Sequence, residues 1–239
     1  MRIRYINPVD DATLDPWFER ELAGAGGPDA TVEVVHLEKL AGPGRGAFLP
    51  APASYASPLL AAIDEAAADG CDAAVIGCSG DPCLLEARRE VTIPVAAPLD
   101  AALRVAAQLG GRLAILVADG FDAVPLYREL ATAYGLNHLV LDVLTVNMEY
   151  ADDGHGGTPE QVIERHRAVL DGPALELARD AVARGARAVY AGCTLWTGSM
   201  LDTLRASLDV PVLDPGRGAV AMAAAAARAV TSAASEVTR

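Results

Sequence analysis

The sequence predicts an α/β fold with two pseudo-symmetric halves, each built on a parallel sheet, and with the active site in the cleft between them. Short apolar runs alternate with longer helical patterns, which is typical of repeated strand–helix–strand units. The segments 70–78 and 185–193 also share one pattern: each begins with glycine and ends with a second glycine followed by cysteine. The chain has 239 residues, 52% of them hydrophobic, which suffices for a large core.

The individual elements follow from local patterns of hydrophobicity. Seven apolar runs predict strands at 3–6, 32–37, 74–76, 113–117, 139–146, 188–190 and 212–213. Helical periodicity predicts helices at 15–22, 57–68, 84–90, 100–109, 124–133, 159–170, 174–183, 198–207 and 218–235. Pro58 after Ser57 suits a first helical turn. Thr158, followed by Pro159 and Gln161, has the pattern of a capping box.

The repeat extends beyond the cysteines and defines the expected domains. Strand 3–6 opens the first half and strand 113–117 opens the second. We expect a first half at 1–96 plus 213–239, with the last helix packed back on it, and a second half at 97–212. Ligands bind beyond the carboxyl ends of parallel strands. The polar residues at these strand ends, Asn7, Cys78, Asp119 and Cys193, are therefore expected to face one cleft.

Charge and composition narrow the class of protein. The net charge of −13 disfavours nucleic-acid binding, which needs a basic surface. No apolar run is long enough for a membrane span, and the N-terminus enters a strand without the apolar core of a signal peptide. Four cysteines without a disulfide-framework spacing indicate a reducing compartment. We therefore expect a cytoplasmic protein that acts on a small molecule, with neither nucleic acid nor membrane as partner.

The matched cysteines are the candidate catalytic residues. Cys78 and Cys193 each end a predicted strand and precede a helical run, so backbone N–H groups and a helix N-terminus would have to stabilise the thiolate. One thiolate and one thiol on opposite faces of a carbon next to a carbonyl can remove a proton and return one without a cofactor. A single buried cysteine is more often a core residue, but the duplication favours catalysis.

Other candidate chemistries have weaker signals. Cys71 and Cys83 lack repeat partners, and no Cys-x-x-Cys pair or histidine spacing indicates a metal site. A redox pair of Cys78 and Cys83 is an alternative, although the spacing differs from a thioredoxin motif. Among the histidines, only His155 is a candidate for the site, and we expect no cofactor and no metal. The turn-rich segments 41–52 and 152–158 either cover the cleft or are plain surface connections.

On these residues the chain resembles the Asp/Glu racemase superfamily, most closely its hydantoin racemase branch. The matching segments are 7–8, 52–55, 77–82 with 87–88, 94–95, 192–193 and 210–214. The resemblance implies that Cys78 and Cys193 are paired acid/base thiols. It also implies a homo-oligomer, and a substrate held by Asn7 and by the N–H groups that follow each cysteine. The candidate substrate-binding residues are thus Asn7, Ser79, Gly80, Asp119 and Thr194.

Some positions that are neutral in the family pattern are acidic in this chain, and this affects which substrates we expect. Asp10 and Asp11 stand where the family has neutral donors, and Asp119 stands where it has threonines. Carboxylates near the pocket would repel a carboxylate-bearing substrate. Trp196, in a segment that also departs from the hydantoin branch, is a candidate for selecting side-chain size or simply a packing residue. We expect neutral or cationic substrates to be preferred over free dicarboxylates.

Three functions remain open at this point. The first is a cofactor-independent racemase or epimerase that acts on a 5-substituted hydantoin or a related amino-acid derivative. The second is a decarboxylase or cis–trans isomerase of the same superfamily; by the resemblance, a single-thiol decarboxylase normally lacks the first cysteine. The third is a small-molecule binding protein that retains the cleft without turnover.

Overall fold

The computed structural model describes residues 1–9, 12–37, 52–118, 123–148 and 158–237, and these residues form two four-stranded parallel sheets. The first sheet has the order β2-β1-β3-β4, with strands β1 Arg2–Asn7, β2 Thr31–His36, β3 Ala73–Ile76 and β4 Val95–Ala96. The second has the order β6-β5-β7-β8, with strands β5 Leu113–Ala118, β6 Val140–Val146, β7 Ala188–Ala191 and β8 Val212–Leu213. The two sheets have the same topology, which confirms the predicted fold class.

Helices flank both sheets. They are α1 Asp15–Leu22, α2 Pro52–Ala68, α3 Leu84–Glu90, α4 Pro98–Gln108, α5 Ala123–Ala133, α6 Pro159–Val169, α7 Leu175–Ala183, α8 Asp202–Ser207 and α9 Pro215–Val237. Short 3₁₀ turns cover Asn137–Leu139 and Gly198–Leu201, and a π-helical turn covers Leu170–Ala174. Within the described ranges, no helix is long and apolar enough to cross a bilayer.

The inner strands β3 and β7 are buried on both faces. In β3 and β7 every residue is buried, as expected for the inner strands of a parallel sheet covered by helices. One core cluster contains residues of both sheets, among them Tyr5 and Val75 from the first and Val189 and Ala191 from the second. The two outer faces carry separate clusters. The cluster that contains residues of both sheets therefore joins the two halves.

Several predicted element boundaries differ from those observed. Helix α2 begins at Pro52, so the predicted start at Ser57 is wrong; Pro52 is itself a proline that suits a first helical turn, and Pro58 lies inside the helix. Strand β4, two residues after Pro94, was missed, although the equally short strand β8 after Pro211 was predicted. The capping box is confirmed: the Thr158 hydroxyl accepts from the Gln161 N–H, and the Gln161 side chain accepts from the Thr158 N–H.

The last helix packs on the first sheet, as expected. Helix α9 contacts β1, β3 and β4 together with α1 and α4. All strands of the first sheet lie within residues 1–96, whereas the second sheet uses residues 113–213 and so extends one residue past the predicted boundary at 212. The domain boundaries themselves stay a prediction.

Candidate active site

The two candidate thiols occupy equivalent positions beyond the carboxyl ends of β3 and β7. The Gly77 N–H donates to the Ile6 carbonyl oxygen of the neighbouring β1 (2.8 Å). In the same way, the Gly192 N–H donates to the Leu116 carbonyl oxygen of β5 (2.6 Å). Each cysteine follows directly, so Cys78 and Cys193 are placed by the same local construction. We call residues 77–83 the first cysteine turn and residues 192–197 the second cysteine turn.

Glycine precedes each cysteine because the neighbouring strand passes too closely for a side chain. A Cβ at Gly77 would lie 2.6 Å from Tyr5 Cε1 and 2.9 Å from the Ile6 carbonyl oxygen. A Cβ at Gly192 would lie 2.5 Å from the Leu116 carbonyl oxygen. Real Cβ atoms do not approach other atoms this closely. The repeated Gly-Cys pattern therefore has a packing cause in both halves.

Burial controls the ionisation of both thiols. Burial raises the pKa of Cys78 to about 12, with smaller contributions from the charges of Asp81 and Cys193, while the Gly80 N–H at 3.4 Å from Sγ opposes the shift. Burial likewise raises the pKa of Cys193 to about 11, against backbone N–H groups of Leu195 and Trp196. The expected backbone donors are present, but burial outweighs them. At neutral pH both groups are thiols.

Hydrogen bonds join the first cysteine turn to the second half. The Thr194 hydroxyl, next to Cys193 in the second cysteine turn, donates to the carbonyl oxygen of Gly77 (3.1 Å). The Tyr190 hydroxyl of β7 donates to the Ser79 hydroxyl (3.0 Å). The structure therefore brings the predicted residues Ser79 and Thr194 to the junction between the halves. There, both hydroxyl groups take part in holding the first cysteine turn against the second half.

Asn7 lies beside the first cysteine turn, at the end of β1. Its Oδ1 would be 2.7 Å from a Cβ at Gly77, and its Nδ2 donates to Asp15 Oδ1 (3.2 Å). The other Asp15 oxygen lies 2.8 Å from Nδ1 of His36. Sequence reasoning did not connect Asp15 and His36 to the site, because they reach Asn7 from α1 and from β2.

Gly80 stands next to the first thiol. A Cβ at this position would lie 3.7 Å from Cys78 Sγ and 3.7 Å from Leu126 Cδ2 of α5. This predicted binding residue thus places its backbone between the thiol and the second half. The predicted residue Asp119 lies outside the described residues. So do Asp10, Asp11 and His155, and nearly all of the two segments expected to cover the cleft.

Both cysteine turns are fixed to a following helix by a carboxylate. Asp81, in the first turn, accepts from the N–H groups of Leu99 (2.9 Å) and Asp100 (2.7 Å) at the start of α4, and from the Tyr134 hydroxyl (3.1 Å). In the second half the arrangement is reversed: the carboxylate lies at the start of the helix and accepts from the turn. Asp214, just before α9, accepts from the Gly198 N–H (2.8 Å) and from the Thr197 hydroxyl.

Tyrosine side chains lie against both cysteine turns. Tyr5 lies against Gly77, Tyr190 bonds Ser79, and Tyr127 donates to the Gly192 carbonyl oxygen (2.7 Å). Burial raises the pKa of Tyr5, Tyr127 and Tyr190 well above the usual phenol value, so all three stay neutral donors. Over the parts of the chain that the structure describes, no cation lowers the pKa of either thiol. As far as the described residues go, the surroundings of the thiols are polar and carry no positive charge.

The raised thiol pKa values predict an alkaline reactivity profile. Iodoacetamide should alkylate Cys78 and Cys193 at rates that still rise about tenfold per pH unit from pH 8 to 10, because only the thiolate reacts. A free thiol with a pKa near 8.5 should level off over the same range. Peptide mass spectrometry can follow each site, with glutathione as the reference thiol. A plateau below pH 9 at both cysteines would contradict burial as the dominant influence.

Comparisons with known proteins agree with this architecture. Residues 17–223 match the family model described as Asp/Glu/Hydantoin racemase. Allantoin racemase from Klebsiella pneumoniae superposes with a TM-score of 0.77 at 23% sequence identity, over 94% of this chain and 86% of that chain. Allantoin racemase from Pseudomonas fluorescens superposes with a TM-score of 0.76 at 19% sequence identity, over 96% of this chain and 92% of that chain.

A mutant of arylmalonate decarboxylase in a sulfate-associated form is similar at a TM-score of 0.65 and 20% identity, over 95% of this chain and 94% of that chain. At such identities these structures establish a shared fold. A comparison with curated protein sequences finds no match.

Proposed function

The chain belongs to the Asp/Glu/hydantoin racemase family, and we propose that in this racemase Cys78 and Cys193 are the acid and base of a cofactor-independent reaction. The predicted family is confirmed, and with it the enzyme class, an isomerase. The observation that carries the two-thiol proposal is the equivalence of the cysteines. Each follows a glycine that bonds to the neighbouring central strand, and each lies beyond the carboxyl end of its own sheet.

In the proposed reaction one sulfur is a thiolate and the other a thiol. The thiolate takes a proton from a carbon next to a carbonyl, and the thiol on the opposite face returns one, so the stereocentre is inverted. The roles are exchanged for the other enantiomer. A thiolate whose conjugate acid has a pKa of about 11 or 12 is a strong base, which suits a weakly acidic carbon, although only a small fraction is ionised at neutral pH.

The electrostatics of the site favour an uncharged substrate. A carboxylate brought beside the thiols would need a cation to offset the loss of its hydration. The described residues supply phenol and backbone donors there instead. A hydantoin ring is neutral and presents a carbonyl group on one side of its C5–H carbon and an N–H group on the other. We therefore propose a 5-substituted hydantoin as substrate, with allantoin, the compound named for two structural neighbours, as the first candidate.

Solvent deuterium incorporation tests this function. Each compound of a panel (allantoin, 5-benzylhydantoin, aspartate and an arylmalonate) is incubated with the protein in D₂O and followed by mass spectrometry and polarimetry. We expect incorporation of one deuterium at C5 of the hydantoins with loss of optical rotation, and no reaction with aspartate. The double variant Cys78→Ser/Cys193→Ser is the control, because hydantoins also exchange spontaneously in base.

The other outcomes identify the alternatives. Efficient racemisation of aspartate would overturn the proposed preference for neutral substrates. Release of CO₂ from the arylmalonate would assign the chain to decarboxylation. A malonate carries two carboxylates, and the described residues place no cation beside the thiols to receive them, which disfavours this outcome. Binding of a hydantoin without exchange above the control would leave the protein a binding module.

A further inference from the structure

Tyr5 is a buried side chain of β1 whose hydroxyl group is not used by the fold. The residue is 0% exposed, and its hydroxyl oxygen has no hydrogen-bond partner among the residues that the structure describes. The Thr194 side chain acts to lower the pKa of Tyr5, but the geometry between the two hydroxyls falls short of a hydrogen bond. Buried polar groups in folded proteins are nearly always paired, so an unpaired phenol calls for an explanation.

The position of Tyr5 links it to both thiols. Its ring lies directly against Gly77, at 2.6 Å from where a Cβ would be, and so beside the residue that precedes Cys78. Its neighbour Thr194 directly follows Cys193. Burial is the main cause of the raised pKa of Tyr5, and negative charges on Cys78, Asp214 and Cys193 raise it further, in decreasing order of effect. The phenol is thus within electrostatic reach of both sulfurs and of the Asp214 carboxylate. The ring is also fixed in place, since it stacks on Phe18 with centroids 5.7 Å apart.

We propose that the Tyr5 hydroxyl is the hydrogen-bond donor that stabilises the thiolate formed at the Cys78–Cys193 pair. The inference rests on the proposed function in that it assumes that one of the two sulfurs ionises during turnover. The O–H has no acceptor while both sulfurs carry protons, and gains one when a thiolate forms nearby. A donor shared by both sulfurs would serve either direction of the reaction. Because Tyr5 is fully buried, the two thiols that flank it are better placed than a substrate to receive its hydrogen bond.

The test removes the Tyr5 hydroxyl and measures the alkylation of the two thiols rather than turnover. Tyr5→Phe keeps the ring against Gly77 and Phe18 and removes only the hydroxyl. We expect the alkylation profiles of both Cys78 and Cys193 with iodoacetamide to move about one pH unit higher, so that alkylation at a fixed pH below 10 is about tenfold slower. Unfolding temperature and near-ultraviolet circular dichroism confirm that the variant is folded.

A matched control separates this effect from a general disturbance. Tyr55 is also a buried tyrosine near Cys78, but Cys193 does not affect its pKa. Tyr55→Phe should therefore leave the profile of Cys193 unchanged. Since alkylation needs no substrate, a failure of the proposed racemase activity does not affect this test. Unshifted profiles in folded Tyr5→Phe would overturn the proposal. A loss of turnover with unchanged alkylation profiles would also overturn it, because the Tyr5 hydroxyl would then bind the substrate rather than a thiolate.

Discussion

Replacing either candidate thiol by serine (Cys78→Ser or Cys193→Ser) abolishes racemisation but leaves proton exchange on one enantiomer. A serine hydroxyl is far too weak an acid to form a base near neutral pH, so no proton is transferred on the face where the thiol was replaced. The remaining thiol still removes and returns a proton on its own face. The two single variants should therefore exchange opposite enantiomers with D₂O, and the double variant should exchange neither. Chiral chromatography coupled to mass spectrometry measures both properties in one sample.

Cys83→Ser is the matched control for these variants. Cys83 is also a partly exposed free thiol of the first cysteine turn, but it has no counterpart in the second half. Its replacement should leave racemisation within about twofold, as expected for a residue outside the chemistry. Near-normal racemisation by Cys78→Ser would contradict the two-thiol mechanism. A mechanism that uses Cys193 alone would then explain the activity better.

A methyl group at either glycine before the cysteines should destabilise the whole protein. At Gly192 the new Cβ would meet the Leu116 carbonyl oxygen at 2.5 Å, and a backbone atom of a central strand cannot move aside. At Gly77 the closest atom belongs to the Tyr5 ring, although the Ile6 carbonyl oxygen at 2.9 Å is almost as restrictive. We expect Gly192→Ala to cost on the order of 3 kcal/mol or more of the free energy of unfolding. Gly77→Ala should follow closely.

Thermal unfolding measures this effect. A loss of about 3 kcal/mol lowers Tm by roughly 10 °C in a protein of this size. Gly218→Ala in α9 is the control, because its Cβ would meet no atom within 4 Å and alanine favours a helix over glycine by about 1 kcal/mol. Its Tm should stay the same or rise. An unchanged Tm for Gly192→Ala would mean that β5 and β7 separate more easily than their spacing indicates.

The local elements were predictable because their signals lie within a few consecutive residues. The predicted bounds of α1, α3 and β8 coincide with those observed, and each is a short run between clear breaks. The positions of Cys78 and Cys193 at strand ends also followed from a local pattern. Strand β4 was not found in this way: its Val-Ala pair is less apolar than the Val-Leu pair of β8, and its pairing with β3 is not a local signal.

The surroundings of the thiols could not be predicted, because they come from distant parts of the chain. The raised pKa values of Cys78 and Cys193 depend on burial beneath both halves, and no local pattern reports that burial. The partners of Ser79 and Gly77 are more than 100 residues away, at Tyr190 and Thr194. A tyrosine in a buried strand looks like any core residue until the fold brings it to a site.

The hydrogen bonds between the first cysteine turn and the second half run in one direction, from Thr194 and Tyr190 of the second half to residues of the first. The two thiols therefore have different surroundings, and in the proposed reaction they would be inequivalent bases acting on mirror-image substrates. Two enantiomers have the same free energy in an achiral solvent, so the equilibrium constant of racemisation is one. The ratio kcat/KM must then be equal in the two directions whatever the thiols do. Any inequality between Cys78 and Cys193 must change kcat and KM together, so that the enantiomer with the lower KM is also the one converted more slowly at saturation.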